Sequence, residues 1–237
     1  MILETPSFDR PFVLAAALFG SRARGDSDSS SDTDVVVFAD VENVAQLRNV
    51  KEDLSSHSLG LRQTLSLYSG DTAEYMAQEG SLFLWHLRLE GVVLIDNQAW
   101  LSNLLKNLSP YDNARALRDL DTFEQVLFDC EYSASMQSDT IAFEMATTSA
   151  VLRNLGIIHC FTRGIPCFGR TAPIMRLANY MGERFPFSPE QVRALEHARL
   201  AYIRDPEQEV PHMNASTVKV FIDGTSNVLQ FVRNAIL

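Results

Sequence analysis

The sequence predicts an α/β core with a short mixed sheet, followed by an all-helical bundle. Three observations carry this. Short apolar runs, Val13 to Phe19 and Thr33 to Phe38, are separated by Gly, Ser and Asp turn chemistry, the signature of buried strands. Strand-like and helix-like stretches alternate as far as residue 108. Beyond Ser109-Pro110-Tyr111-Asp112 the pattern is helical, so the chain reads as two domains, 1–108 and 109–237.

Val13 to Phe19 is continuous, apolar and short, as a strand buried on both faces is. Gly20 to Ser31 reads as turn chemistry, and Thr33 to Phe38, TDVVVF, as a second buried strand. Asp40 to His57 carries Val41, Val44, Leu47, Val50 and Leu54 at spacings of three and four, a helical stripe. Gln63 to Tyr68 alternates as a third strand. Thr72 to Leu89 reads as helix with Gly80 placed to break it, Val92 to Ile95 as a fourth strand, and Trp100 to Leu108 as helix. The helices are expected on one side of the sheet. In the second domain, helices are expected over Asn113 to Glu131, Asp139 to Arg163, Thr171 to Phe185, Pro189 to Ile203 and Ser216 to Ile236. Val218 to Ile222 also fits a strand. Asp139 can cap its helix, and Gly164 with Pro166 can end it. Ser188-Pro189-Glu190-Gln191 is a capping-box pattern.

Composition narrows the function. The 237 residues suffice for a sizeable core, and 46% hydrophobic with 21% charged residues is ordinary for a globular protein. No apolar stretch approaches the roughly 20 residues needed to span a bilayer. Glu4, Asp9 and Arg10 before the first strand argue against a signal peptide. Cys130, Cys160 and Cys167 lack metal-ligand spacing and read as free thiols of a cytoplasmic protein. Net charge is −10, uneven along the chain: residues 1–108 hold 8 Lys and Arg against 15 Asp and Glu, and residues 109–237 hold 12 against 15. That balance argues against broad nucleic-acid binding, yet leaves room for a local arginine patch that grips phosphate.

The informative stretch is LFGSRARGDSDSSSDTDVVVF, Leu18 to Phe38. Carboxylates crowded at a strand end repel one another unless a cation sits among them. Asp32 and Asp34 are two apart, which at a strand start puts both on one face. Hard oxygen ligands so placed suit Mg²⁺, which takes one or two carboxylates and fills its shell with water and substrate phosphate. Upstream, Gly20 lets a phosphate approach the backbone, and the Ser21 hydroxyl can bind its oxygens. Arg22 and Arg24 offer charge-assisted donors to phosphate, or alternatively pair with Asp26 or Asp28.

Gly20-Ser21-Arg22-Ala23-Arg24-Gly25, six further residues, then Asp32-Thr33-Asp34 and an apolar run resembles the signature of the minimal nucleotidyltransferases of the DNA-polymerase-beta-like superfamily. Glu79 to Gly91, EGSLFLWHLRLEG, is similar to the helix that follows the core in that group. The resemblance covers about residues 11–108. It implies that Gly20 and Ser21 seat a nucleoside triphosphate, that Asp32 and Asp34 hold Mg²⁺, and that a nucleoside monophosphate passes to an acceptor with loss of pyrophosphate. Similar members pair with HEPN helical domains in toxin–antitoxin systems, or resemble aminoglycoside nucleotidyltransferases with a helical C-terminal domain. This implies a nucleotide-binding chain whose second domain is HEPN-like or substrate-binding, with a homodimer or a HEPN-type protein as partner. The family's third acid, on a later strand, is missing: Thr64 stands there, with Ser66 next on the same face.

Glu144, among apolar residues in IAFEMA, is a candidate replacement. Partly desolvated, it could serve as general base on an acceptor hydroxyl; the alternative is a glutamate on an exposed polar face. Arg153 and His159 match the Arg-x(4–6)-His ribonuclease motif of HEPN domains, although six residues on a helix set the side chains about 120° apart. The expectation is therefore Mg²⁺-dependent transfer of AMP from ATP to a protein, RNA or small hydroxylated acceptor, held in a cleft between the domains. Catalytic Asp32, Asp34 and Glu144 and nucleotide-binding Gly20, Ser21 and Arg24 would carry it. The alternatives are a catalytically degenerate antitoxin or partner protein and a HEPN-type ribonuclease.

Overall fold

The computed structural model describes residues 10–27, 31–41, 44–56, 63–136, 140–204 and 214–237; Asp28 and Asp139 lie outside them. The chain divides into two compact units, Met1–Tyr111 and Asp112–Leu237.

The strands of the first unit are β1 (Val13–Phe19), β2 (Thr33–Ala39), β3 (Gln63–Ser69) and β4 (Val92–Asp96). Its helices are α1 (Gly20–Arg24), α2 (Val44–Ser56), α3 (Gly70–Gln78), α4 (Leu82–Glu90) and α5 (Trp100–Lys106). The sheet order is β3-β2-β1-β4. β1 runs antiparallel to β2 and β4, and β2 parallel to β3, so the sheet is mixed.

β1, and β2 from Val35 on, are apolar because both their faces are covered. On one face Ala15, Ala17, Val36 and Phe38 pack with residues of α3, α4 and α5, among them Ala73, Leu84 and Leu101. On the other face Val13, Ala16, Leu18, Val35 and Val37 pack with Val50 of α2. Helices thus cover both sides of the sheet, not one as expected: the α2 stripe needs an apolar surface, and the odd-numbered residues of β2 provide it. A register shift between Val13 and Ala15 puts Val13 on the same face as Ala16 and Leu18. Phe38 is fully buried, worth about 2–3 kcal/mol in transfer terms.

One expectation is corrected here, and one is made definite. Gly20 to Ser31 is not all turn, since Gly20–Arg24 winds into one helical turn ended by left-handed Gly25. The helical stretch Thr72 to Leu89 is broken at Gly80 into α3 and α4. Gly80 has φ +69°, and a Cβ there would lie 2.5 Å from the Pro110 carbonyl oxygen, so the chain turns under that segment. Ser69 and Ser81 then cap the two halves, accepting from Thr72 N (3.2 Å) and Phe83 N (3.2 Å).

The second unit holds α6 (Asn113–Met136), α7 (Ile141–Thr162), α8 (Ala172–Met181), α9 (Pro189–Arg204) and α10 (Ala215–Ile236). No strand occurs among its described residues, so the strand alternative at Val218 to Ile222 is set aside. Val218, Phe221, Ile222, Thr225, Val228, Leu229 and Val232 are buried at helical spacing, which is the reason. Thirteen of the 22 residues of α7 are buried, so this helix is the centre of the bundle. Ser188 and Gln191 form the expected reciprocal capping box, at 2.8 and 3.3 Å. Gly164, φ +72°, ends α7, with Ile165 N bonded to Cys160 O at 3.0 Å. No helix among the described residues is long and apolar enough to cross a membrane.

Candidate active site

The first unit assembles its charged residues at the end of β1. Phe19, the last residue of β1, pairs with Asp34 of β2. Gly20 follows with φ +73°, and a Cβ on it would lie 2.3 Å from Asp34 Oδ2. Glycine is therefore required on two counts: the left-handed backbone, and the approach of a carboxylate to the main chain. Asp32 stands just ahead of β2, and both aspartates are half-buried. The sequence-predicted pair and the Gly-Ser turn meet at one point.

α1 begins at this point with no side chain capping its first turn. Its arginines fasten the loop. Arg22 Nη2 donates to the Ser31 carbonyl at 3.1 Å, tying α1 to the approach to β2. Arg24 pairs with Asp26 at 3.2 Å and with Glu90 of α4 at 3.2 Å. Burial opposes its charge, but the hydrogen bonds and attraction of Asp26 and Glu90 win, so its pKa is raised. The other partner of Glu90 is His86, whose Nε2 lies 3.1 Å from the same Oε2. His86 and Phe83 both meet the Phe19 ring edge-on, with centroids 5.9 and 5.4 Å away.

His86 and Glu90 stand against the Gly20–Arg24 turn, and the sequence reading did not single them out. The signal was present in LFLWHLRLEG: a histidine and a glutamate at i and i+4, one face of a helix, just before a glycine. Nothing local says which loop that face meets. Glu90→Gln removes the charge that holds Arg24. It is expected to raise KM for the nucleotide about 3- to 10-fold with a smaller change in kcat, the equivalent of about 1 kcal/mol of lost positioning. Steady-state kinetics check it, with Glu90→Asp as the partial rescue.

β3 carries no carboxylate. The parallel register sets Thr64 beside Asp34 and Ser66 beside Val36, so Thr64 occupies the neighbouring position on the same face, and it is exposed. A concavity of about 820 Å³ in this unit is bordered by Val13, Asp40 and Trp100, at the opposite ends of β1 and β2, and is separate from the aspartate pair.

Glu144 belongs to α7 in the second unit. It is 0% exposed, where a partly exposed glutamate was expected, because α7 is the central helix. Among the described residues neither of its oxygens has a hydrogen-bond partner, nor does Oγ1 of Thr148 one turn on. Burial, and then the nearby Glu144 charge, push the Cys130 thiol up to about 11. Arg153 and His159 have structural surroundings. Arg153 donates to the carbonyls of Phe168 (2.6 Å) and Gly169 (3.1 Å), tying down the α7–α8 connection. His159 is 3% exposed, and its ring lies 4.7 Å from that of Tyr180.

Burial, and then the Arg163 charge, lower the His159 pKa from 6.5 to about 4. Its other charged neighbour across the small pocket it lines is Arg176 of α8. The unfolded chain therefore binds the extra proton first. Stability is whole above about pH 6.5, falls as pH drops towards 4 and levels off below that. Denaturant melts over that range are expected to lose up to about 3 kcal/mol, a loss that His159→Phe should flatten.

Residues 7–99 match the family model described as Polymerase beta, Nucleotidyltransferase. No curated protein matches the sequence. Among solved structures, the chain is similar to spectinomycin adenyltransferase AAD(9) from Enterococcus faecialis, crystallised with ATP and spectinomycin. The TM-score is 0.55 and the identity 12%, over 92% of each chain. At that identity the likeness is one of fold, and it extends through the helical region. Residues 7–99 therefore carry a polymerase-beta nucleotidyltransferase domain, and a helical region follows it.

Proposed function

We propose that this nucleotidyltransferase moves AMP from ATP onto a hydroxyl of a small acceptor. The oxygen of the acceptor bonds to the α-phosphorus, the bridging bond to the β-phosphate breaks, pyrophosphate leaves, and the hydroxyl proton passes to a base. The observation that carries the reading is the 2.3 Å between Asp34 Oδ2 and the position a Gly20 Cβ would take. It supports a turn built to bring triphosphate oxygens and a carboxylate to one place.

Asp32 and Asp34 fit Mg²⁺, although no group of three acid, His or Cys ligands occurs among the described residues. Two carboxylates are enough for an ion that completes its shell with water and phosphate. Bound there, Mg²⁺ would neutralise the charge of the triphosphate. In this reading Gly20 keeps the backbone close, Ser21 donates to phosphate oxygens, and Arg24 acts by holding α1 through Glu90. The acidic chain, and a similar protein crystallised with ATP and an antibiotic, favour ATP and a small acceptor over RNA.

The test is incubation with each α-labelled NTP and Mg²⁺, with hydroxylated small molecules, total RNA and total protein as separate acceptors. Label passing from ATP to a small molecule is the expected result. Label on RNA or protein would overturn the acceptor. Nucleotide bound but never transferred would favour a nucleotide-binding partner protein, the reading to which the missing carboxylate at Thr64 points.

A further inference from the structure

The second unit holds a cluster that nucleotidyl transfer does not use. A pocket of about 400 Å³ opens between the end of α7 and one face of α8, lined by His159, Arg163, Ile165, Arg176, Asn179 and Tyr180. His159 and Arg163 are i and i+4 at the C-terminal end of α7, and Arg176, Asn179 and Tyr180 are i, i+3 and i+4 on α8. Each set therefore lies on one helical face, and the two faces meet.

We propose that this pocket binds a phosphate group, as a second anion site separate from the Gly20-Ser21 turn. Its lining contains two arginines and no carboxylate, in a chain of net charge −10. Arg163 and Arg176 are exposed, and among the described residues no acid lines the pocket beside them. The guanidinium of Arg163 stands 4.0 Å over the Tyr180 ring and contacts its hydroxyl, which fixes its position. Arg176 reaches the Ile165 carbonyl only at 3.5 Å, so its donors remain available. Both positive fields extend inward: Arg163 lowers the pKa of His159, and Arg176 opposes the rise that burial gives the Cys160 thiol. The α7 C-terminus adds about half a negative charge, which two guanidinium groups outweigh.

The geometry favours phosphate over carboxylate. Guanidinium forks bind either anion. Here the donors come from two helices and include the Asn179 amide. A tetrahedral phosphate offers more oxygens to donors spread over two helices than a carboxylate, which presents two in one plane. The group could belong to a free nucleotide or to an RNA chain.

Binding is measured by calorimetry on the full chain carrying Asp32→Ala and Asp34→Ala, without Mg²⁺, so that no nucleotidyl transfer occurs, and only binding that Arg176→Gln weakens is assigned to the pocket rather than to the Gly20-Ser21 turn. The probes are inorganic phosphate, ATP, a short 5′-phosphorylated RNA and succinate. Phosphate is expected to bind, and Arg176→Gln to weaken it about 10-fold or more. Arg163→Gln should weaken it similarly; a thermal melt shows whether losing the Tyr180 contact has also loosened the fold, and Arg176→Gln has no such contact to lose. ATP bound more tightly than phosphate assigns a free nucleotide, and RNA bound more tightly than ATP assigns an RNA end. Phosphate that does not bind, binding that survives both substitutions, or succinate held as tightly as phosphate would overturn the proposal.

Discussion

Asp34→Asn is expected to lower nucleotidyl transfer about 10³-fold or more, the scale of losing a principal electrostatic contact at a phosphoryl group in transfer. The change keeps the shape of the side chain and removes its charge. The fold should survive it, because Asp34 sits at the open end of β2 and Val36 and Phe38 carry the packing. Thermal melts should therefore shift little while the rate collapses. An Asp34→Asn enzyme within 10-fold of the parent, measured in single turnover, would remove Asp34 from catalysis. Gly20→Ala approaches the same point from the other side. Its methyl would lie 2.3 Å from Asp34 Oδ2 at φ +73°, so either the carboxylate or the turn must move. A fall of about 10²-fold in kcat/KM is expected, with a destabilisation of about 1–3 kcal/mol from the backbone alone.

The second large effect is a gain. Thr64→Asp is expected to raise the rate about 10²-fold, the lower end of what a positioned general base supplies. Thr64 pairs with Asp34 in the parallel register, so the new carboxylate would lie one strand spacing away, about 4.8 Å, on the same face. β3 is an edge strand and Thr64 is exposed, so the substitution asks nothing of the core. Repulsion from Asp34 would raise the pKa of the new group towards that of a useful base. Single-turnover rates of Thr64→Asp, Thr64→Ala and the parent separate the cases. If Asp and Ala behave alike, the proton goes elsewhere and the position is not where this enzyme needs an acid. If Asp alone accelerates, the chain has a site that lost its base and kept its geometry.

Much of the fold was readable in order. β1 and β2 needed only short apolar runs between Gly, Ser and Asp, because burial on both faces leaves no polar alternation to mistake; β4, a half-exposed edge strand, was legible from its apolar run alone. The capping box at Ser188 and Gln191 and the stop at Gly164 are local chemistry, written within four residues, and both stand as read. The break at Gly80 was also placed correctly. Its cause is the Pro110 carbonyl 30 residues on, which no helical period contains.

For the site, sequence determined which residue types could do the chemistry. Asp-x-Asp ahead of an apolar strand and Gly-Ser after another are statements about spacing, and spacing along a strand or turn is fixed by backbone geometry. It also determined that the carboxylate of β3 is missing. Only tertiary structure decided what each side chain meets. Arg24, open to a phosphate or to an acid, pairs with Glu90, 66 residues away. Glu144, expected half-exposed, lies wholly inside because α7 is surrounded by its neighbours. Arg163 and Arg176, two scattered cations in an acidic chain, share one pocket because α8 folds back along the end of α7. Contacts of that kind depend on how helices and strands pack over long separations, and the packing is set by the whole core.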